Sequence, residues 1–205
     1  MRLGRVSVSG GFVVMVALVY LFDARGFVPL VILAACTHEL GHFAAIRALG
    51  GRVLRLQLGL IGLRMDYEGR QVGYWGEIVI ALSGPVSNLA LAYGASYLGR
   101  YTGSEILFFL AGISLGAALF NLLPIYQLDG GRALYCLLAW GADVDLAGRV
   151  SCVLSCALIF VLLFGGLWLF FWSGWNFTLL TVALWLLISY CKSEGSAVRY
   201  AVTAY

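Results

Sequence analysis

The sequence predicts an all-α polytopic membrane protein with about six transmembrane helices and a small membrane-associated β-hairpin. Of its 205 residues, 62% are hydrophobic and only 11% are charged, whereas charged residues make up about a quarter of a soluble domain. Apolar stretches long enough to cross about 30 Å of hydrocarbon recur along the chain. One segment, residues 53–67, instead alternates apolar and polar side chains with the period of two that is typical of strands.

We therefore expect a single transmembrane domain over residues 1–205, with no segment left for a separate soluble domain. The net charge of +3 gives no indication of nucleic-acid binding, because the basic residues are scattered between apolar spans. The five cysteines lie mostly in or beside apolar runs and are interpreted as small, lipid-compatible packing residues.

The first predicted span covers residues 6–22 and has no clear cleavage site, so we interpret it as a retained helix. The second has Pro29 in its first turn, where the missing N–H does no harm. In the fourth, Gly112 and Gly116 form a small-xxx-small face that we expect to pack closely. Spans two to six are predicted, in chain order, over residues 27–49, 77–97, 104–123, 146–172 and 175–191.

The second span carries the sequence His38-Glu39-Leu40-Gly41-His42. Positions i and i+4 share a helix face, so His38 and His42 can offer imidazole nitrogens to one metal ion. Glu39 lies beside that face, where it can take a proton from an attacking water. The alternative is a pair of core histidines without a function. It would bury two imidazoles and a carboxylate in hydrocarbon, where ionisable groups are costly and usually functional.

A turn around Asp129 follows the fourth span. Pro124 ends the helix, and Gly130 and Gly131 let the backbone approach another element closely. Asp129 then either caps a short interfacial helix over about residues 132–140 or supplies a third metal ligand. Beside a histidine pair that lacks a third ligand, a carboxylate at such a turn is the better candidate.

The third span contains Ser83-Gly84-Pro85-Val86-Ser87-Asn88. The Gly-Pro pair loosens the helix, and Asn88 places an amide where it needs a partner. Two interpretations stay open for this segment, helix packing through small residues and a role near the metal site.

The distribution of basic residues predicts the orientation. With six spans and the N-terminus inside, eleven of the thirteen Lys and Arg residues lie on the cytoplasmic side, and only Arg25 and Arg100 lie outside. Both termini are then cytoplasmic. The histidine motif, Asp129 and the 53–67 hairpin all arrive near the cytoplasmic face of the membrane.

Taken together, these residues make the chain resemble the site-2 protease family of intramembrane zinc metalloproteases, and within it the stage IV sporulation protein FB type. The resemblance covers about residues 27–140. It rests on three motifs in a fixed order, which are residues 38–42, 83–88 and 121–131. Some members carry a second proline where this chain has Gln127, and neither a PDZ domain nor a nucleotide-binding regulatory domain is expected here.

The resemblance implies a Zn²⁺ ion held by His38, His42 and Asp129, with Glu39 as the catalytic base. It also implies that Asn121 lies near the substrate, and Asn88 is a second candidate for that role. The implied activity is regulated intramembrane proteolysis near the cytoplasmic face of a bacterial cell membrane. The implied partners are a membrane-tethered protein substrate, such as a pro-sigma factor or a similar regulator, and regulatory membrane proteins.

Two other functions remain as alternatives, a metal-ion transporter and a non-proteolytic membrane scaffold. A transporter is expected to line several spans with ligand residues, and these spans hold few ionisable groups outside the motifs. A scaffold would have no need for Glu39.

Overall fold

The computed structural model describes residues 2–3, 6–8, 20, 23, 26–59, 62–68, 73–173 and 177–200. These residues form six helices and a small sheet, which confirms the predicted fold class. The chain divides into two compact units, Met1–Leu122 and Leu123–Tyr205.

The first unit contains three helices, α1 (Val28–Ala48), α2 (Tyr74–Thr102) and α3 (Glu105–Asn121). Helix α1 begins where Asp23 Oδ2 accepts a hydrogen bond of 2.6 Å from the backbone N–H of Val28. Helix α2 packs against both of the others. Its buried face is rich in small residues, which lets the helix backbones approach each other.

The end of α1 is a Schellman motif. Gly50 has a φ of 78°, and its N–H donates to the carbonyl of Arg47 at 3.1 Å. The N–H of Gly51 donates to the carbonyl of Ile46 at 2.8 Å. A residue in this left-handed conformation stops the helix and satisfies its last carbonyls. Strand β3 therefore starts directly after the helix, at Arg52.

The sheet has four strands in the order β1 (Arg2–Leu3), β2 (Val6–Val8), β3 (Arg52–Gly59) and β4 (Gly62–Glu68). Strands β3 and β4 are antiparallel, with Val53 opposite Tyr67 and Leu56 opposite Met65. This pairing confirms the hairpin that the alternation over 53–67 predicts. Residues 60 and 61, between the two strands, lie outside the described residues.

The predicted first span is wrong at its start. Val6–Val8 is a strand parallel to Leu56–Leu58 of β3, and Ser7 Oγ donates to the carbonyl of Leu56 at 3.5 Å. Two β-branched valines around a serine suit a pleated strand, and β3 offers them unpaired backbone groups on its free side. A hydropathy profile contains no information about pairing with a strand elsewhere in the chain. The rest of this span lies almost entirely outside the described residues.

The second unit contains α4 (Asp129–Gly141), α5 (Val144–Trp172) and α6 (Thr178–Tyr200). Asp143 caps α5, because its side chain accepts from the backbone N–H of Val144 at 2.8 Å. Helices α5 and α6 approach closely at Gly166, where a Cβ atom would lie 2.8 Å from the backbone of Leu180.

Three of these helices, α1, α2 and α5, are long and apolar enough to cross a membrane. Helix α3 and residues 178–191 of α6 are apolar but shorter. The outer face of α5 is apolar as well, with Val153, Val161 and Trp168 each more than 60% exposed. Apolar side chains that point away from the protein along spanning helices indicate contact with lipid. The chain is therefore an integral membrane protein.

The predicted packing face on α3 meets no neighbour among the described residues. A Cβ atom added at Gly112 or Gly116 would meet no atom of the described residues within 4 Å. Helix α3 instead buries Leu110, Ser114 and Ala118. The small-residue pattern alone does not reveal which face of a helix turns toward its neighbours.

Candidate metal centre

Two histidines on α1 bring their ring nitrogens together. His38 Nε2 and His42 Nε2 are 3.1 Å apart, and the two rings meet edge to face at 83°. Two ligands of a tetrahedral zinc ion with Zn–N bonds of 2.0–2.1 Å would be about 3.3 Å apart. The pair therefore has the spacing that one metal ion requires.

A backbone carbonyl on α2 fixes the tautomer of His42. Its Nδ1 lies 2.7 Å from the carbonyl oxygen of Ile80. A carbonyl oxygen can only accept, so Nδ1 carries the hydrogen and Nε2 keeps its lone pair. Metal-binding histidines commonly donate their second ring N–H in this way, which orients the ring. Ser83 Oγ donates to the same carbonyl at 2.6 Å.

The other histidine faces an amide. His38 is 8% exposed, and its Nδ1 lies 3.4 Å from Nδ2 of Asn88, which is fully buried. Both partners of the histidines thus come from α2, within the predicted 83–88 motif and three residues before it. Glu39 is the next residue after His38 on α1 and is half-buried.

Glycines make the crossing of α1 and α2 possible. A Cβ atom at Gly84 would overlap His42 Nε2 and lie 2.8 Å from His38 Cε1. A Cβ atom at Gly41 would lie 2.5 Å from the carbonyl oxygen of Ser83. Ser87 Oγ donates across the crossing to the carbonyl of Thr37 at 2.9 Å. The space beside the imidazoles therefore exists because residue 84 has no side chain.

In the second unit, Asp129 is the first residue of α4. The residue at the N-cap position is Leu128, and no side chain caps this helix. The alternative in which Asp129 caps a helix that starts near residue 132 is therefore wrong. The turn before it is held by α5, because the N–H of Tyr126 donates to Ser155 Oγ at 2.9 Å. A Cβ atom at Gly131 would overlap the carbonyl of Ile125, so this turn requires glycine.

The structure describes all of the predicted metal ligands. His38 and His42 lie on α1 of the first unit, and Asp129 lies at the start of α4 in the second unit. Asn121 is the last residue of α3, and its amide donates to the carbonyl of Ala117 at 3.0 Å. Its substrate role, like that of Asn88, stays a prediction.

Sequence reasoning missed two contributors to this geometry. The carbonyl of Ile80 has no signal in the sequence, because every residue carries one. Ser155 did have a signal, since Ser151 and Ser155 are polar residues one turn apart in an apolar helix.

The chain is similar to proteins of one family. Residues 97–165 match the model of peptidase family M50, a range that holds Asp129 but not the histidines. Rip3 of Mycobacterium tuberculosis, which is assigned as a zinc metalloprotease, is 33% identical over 181 residues, which are 78% of this chain and 46% of Rip3. Stage IV sporulation protein FB of Bacillus subtilis is 28% identical over 141 residues, 65% of this chain and 47% of that protein. The chain thus spans less than half of the length of these relatives.

A solved structure shares the fold. The site-2 protease from Methanocaldococcus jannaschii superposes with a TM-score of 0.67 over 91% of this chain and 89% of that one. The two sequences are only 21% identical, so the similarity shows a common fold and nothing more.

Proposed function

We propose that this chain is a zinc-dependent intramembrane endopeptidase of the site-2 protease family. The match of residues 97–165 to peptidase family M50 supports the proposal, and the shared fold is consistent with it. The observation that carries the proposal is the 3.1 Å separation of His38 Nε2 and His42 Nε2. The hydrogen bond from His42 Nδ1 to Ile80 supports it, since it leaves Nε2 ready to bind a metal.

Asp129 is the third ligand in this proposal. Its carboxylate belongs to the first residue of α4, after a turn that requires glycine at position 131, and this position supports that role. Two histidine nitrogens and one carboxylate oxygen are a donor set found in catalytic zinc sites, where a fourth position stays open for water or substrate. Soft metals that prefer several thiolates do not suit this set.

Zinc bound there would lower the pKa of a water molecule toward neutrality and polarise the carbonyl of the scissile peptide bond. Glu39 accepts a proton from the water as the water oxygen bonds to the carbonyl carbon. Glu39 then gives that proton to the amide nitrogen as the C–N bond breaks, and the products are a carboxylic acid and an amine. Its position next to His38 supports this role.

The substrate in this proposal is a membrane-tethered protein, and a pro-sigma factor or a similar regulator is one candidate. A transmembrane helix hides its amides in backbone hydrogen bonds, so it must unwind before cleavage. Among the described residues, strand β4 pairs with β3 on one side only. An extended peptide can add to such an edge. Asn121, the last residue of α3, is proposed to lie near the peptide and to contact it through its side-chain amide.

The proposed location is a bacterial cell membrane, with the active site near the cytoplasmic face and both termini in the cytoplasm. The eleven of thirteen Lys and Arg residues that one orientation places inside support this arrangement. Regulatory membrane proteins are proposed partners.

Replacing Glu39 tests the enzymatic proposal directly. Glu39→Gln keeps the size of the side chain, yet an amide cannot accept the proton that the water must lose. We expect the purified variant to hold as much zinc as the wild type and cleavage of a co-expressed membrane-tethered substrate to fall by about 10²–10⁴-fold. Glu105→Gln, an exposed position in the first turn of α3, is the matched control and should cleave normally.

Wild-type cleavage by zinc-loaded Glu39→Gln would show that Glu39 is not the base. Zinc flux into liposomes that contain the wild-type protein would favour a transporter instead. Bound zinc with neither flux nor cleavage would favour a scaffold.

A further inference from the structure

The proposed chemistry leaves open the role of the buried amide of Asn88, which lies beside His38. Asn88 is fully buried. Its Nδ2 faces His38 Nδ1 at 3.4 Å, and its Oδ1 is buried with no hydrogen-bond partner among the described residues. A buried amide oxygen without a partner is costly, about 1–3 kcal/mol, and such groups are uncommon in native proteins.

The arrangement seen is a consistent chain of donors and acceptors. The three contacts fit an assignment in which Asn88 Nδ2 donates to His38 Nδ1, His38 Nε2–H donates to His42 Nε2 at 3.1 Å, and His42 Nδ1–H donates to Ile80. In this chain the hydrogen of His38 is on Nε2. That nitrogen then has no lone pair for a metal ion.

Metal binding through His38 Nε2 requires the other tautomer, with the hydrogen on Nδ1. The net charge of the ring does not change, because one proton only moves from one ring nitrogen to the other. A protonated Nδ1 cannot face the amide NH₂ group of Asn88, since both would be donors. Rotating the amide by 180° exchanges its nitrogen and oxygen, so that Oδ1 faces Nδ1–H. The same rotation gives Oδ1 a partner in His38 Nδ1–H and moves the NH₂ group to the position that Oδ1 leaves.

We infer that Asn88 is a positioning residue for the metal site, whose amide turns its oxygen toward His38 Nδ1 and thereby holds His38 in the metal-binding tautomer. The inference rests on the proposed function, because it takes His38 Nε2 as a zinc ligand. Under this inference the two histidines have equivalent partners on α2. His42 donates its Nδ1–H to the carbonyl of Ile80, and His38 donates its Nδ1–H to the amide oxygen of Asn88. Asn88 therefore acts on the metal through His38 and needs no contact with substrate.

Zinc affinity of the purified protein, measured by competition with a chromophoric chelator, tests this role. Asn88→Leu keeps the branching at Cγ and the number of heavy atoms but has no acceptor. We expect its affinity for zinc to fall by about 10–100-fold, the range for losing the hydrogen-bond partner of a metal-binding histidine. Asn88→Asp restores an acceptor oxygen and should bind zinc within about threefold of the wild type, since carboxylates commonly serve this role. Ser114→Ala removes another fully buried polar group, on α3, and should leave zinc affinity unchanged.

The outcomes separate this inference from the function on which it rests. Wild-type affinity in Asn88→Leu, or an equal loss in Asn88→Asp and Asn88→Leu, would overturn the positioning role while leaving the zinc site in place. A wild-type protein that binds no zinc would instead overturn the proposed function.

A measurement on the wild type covers the case in which a variant does not fold. Nitrogen NMR of the zinc-loaded protein, labelled with ¹⁵N-histidine, reports which ring nitrogen carries the hydrogen. Protonated Nδ1 on both rings is the expected result. An unprotonated Nδ1 on His38 would overturn the inference.

Discussion

Gly84 occupies the position on α2 where a side chain would enter the space of the two imidazoles. A Cβ atom there would overlap His42 Nε2. We predict that Gly84→Ala displaces that ring and lowers the zinc affinity by about 10–100-fold, comparable to the loss of an orienting partner. Proteolysis should fall with it. Zinc content after dialysis against a chelator of known affinity measures the effect.

The control for this change lies on the same helix. A Cβ atom at Gly94 would meet no atom of the described residues within 4 Å, so Gly94→Ala adds the same methyl group without such a contact. It should keep the zinc affinity of the wild type. Equal affinities in Gly84→Ala and the wild type would show that the imidazoles do not depend on this crossing.

Asp129 is predicted to bind zinc through its carboxylate. An amide is a poorer ligand for a divalent cation, so Asp129→Asn should reduce the zinc content of the purified protein, as should His38→Ala. Asp143→Asn makes the same chemical change at a residue that caps α5 and should retain zinc. Full zinc in Asp129→Asn by elemental analysis would contradict its role as a ligand.

At this scale, helix geometry explains what the sequence could predict. His38 and His42 are one turn apart, and that spacing alone brings two ring nitrogens to one side of a helix. The carbonyl of Ile80 and the empty space at Gly84 depend on where a second helix crosses the first. No pattern within α1 contains that information.

Among the elements, the hairpin of β3 and β4 is proposed to bind the unwound substrate. Leu63 lies on β4, at the edge of the sheet. Proline there removes a backbone donor and fixes φ, so Leu63→Pro should impair cleavage while the zinc content stays normal. Leu56→Pro, on the strand between β2 and β4, should do the same. Product formation and zinc content are measured on the same preparations.

Leu63→Ala is the control, because it shortens the side chain and keeps the backbone N–H. It should cleave better than Leu63→Pro. Normal cleavage by folded Leu63→Pro and Leu56→Pro would argue against strand addition at this hairpin.

The helices and the hairpin were predictable because periodicity is a local property of the chain. Helix α2 extends beyond the predicted 77–97 at both ends, and α1 matches the predicted 27–49 within one residue. The strand at Val6–Val8 was not predictable in this way. Its partner, β3, is more than forty residues away, and three residues are too few to show a period.

Over the whole molecule, the charge distribution predicts the topology. Reporter fusions at Gly50, at Arg70 and at the C-terminus should read cytoplasmic, and a fusion near Thr102 should read external. Paired reporters, one active only inside and one only outside, serve as mutual controls. An external reading at Arg70 would contradict an active site near the cytoplasmic face.

The turn at Gly50 and Gly51 connects α1 directly to β3. No linker separates the histidine-bearing helix from β3, and the Tyr67 hydroxyl ties β4 to α2 by a hydrogen bond of 2.6 Å to Glu77. A peptide that binds to the sheet therefore contacts an element that is connected to both α1 and α2, the helices beside the imidazoles. If docking changes the zinc affinity, thermodynamic reciprocity requires zinc to change the affinity for the peptide by the same factor. The zinc affinity would then differ between the free protein and the peptide-bound protein.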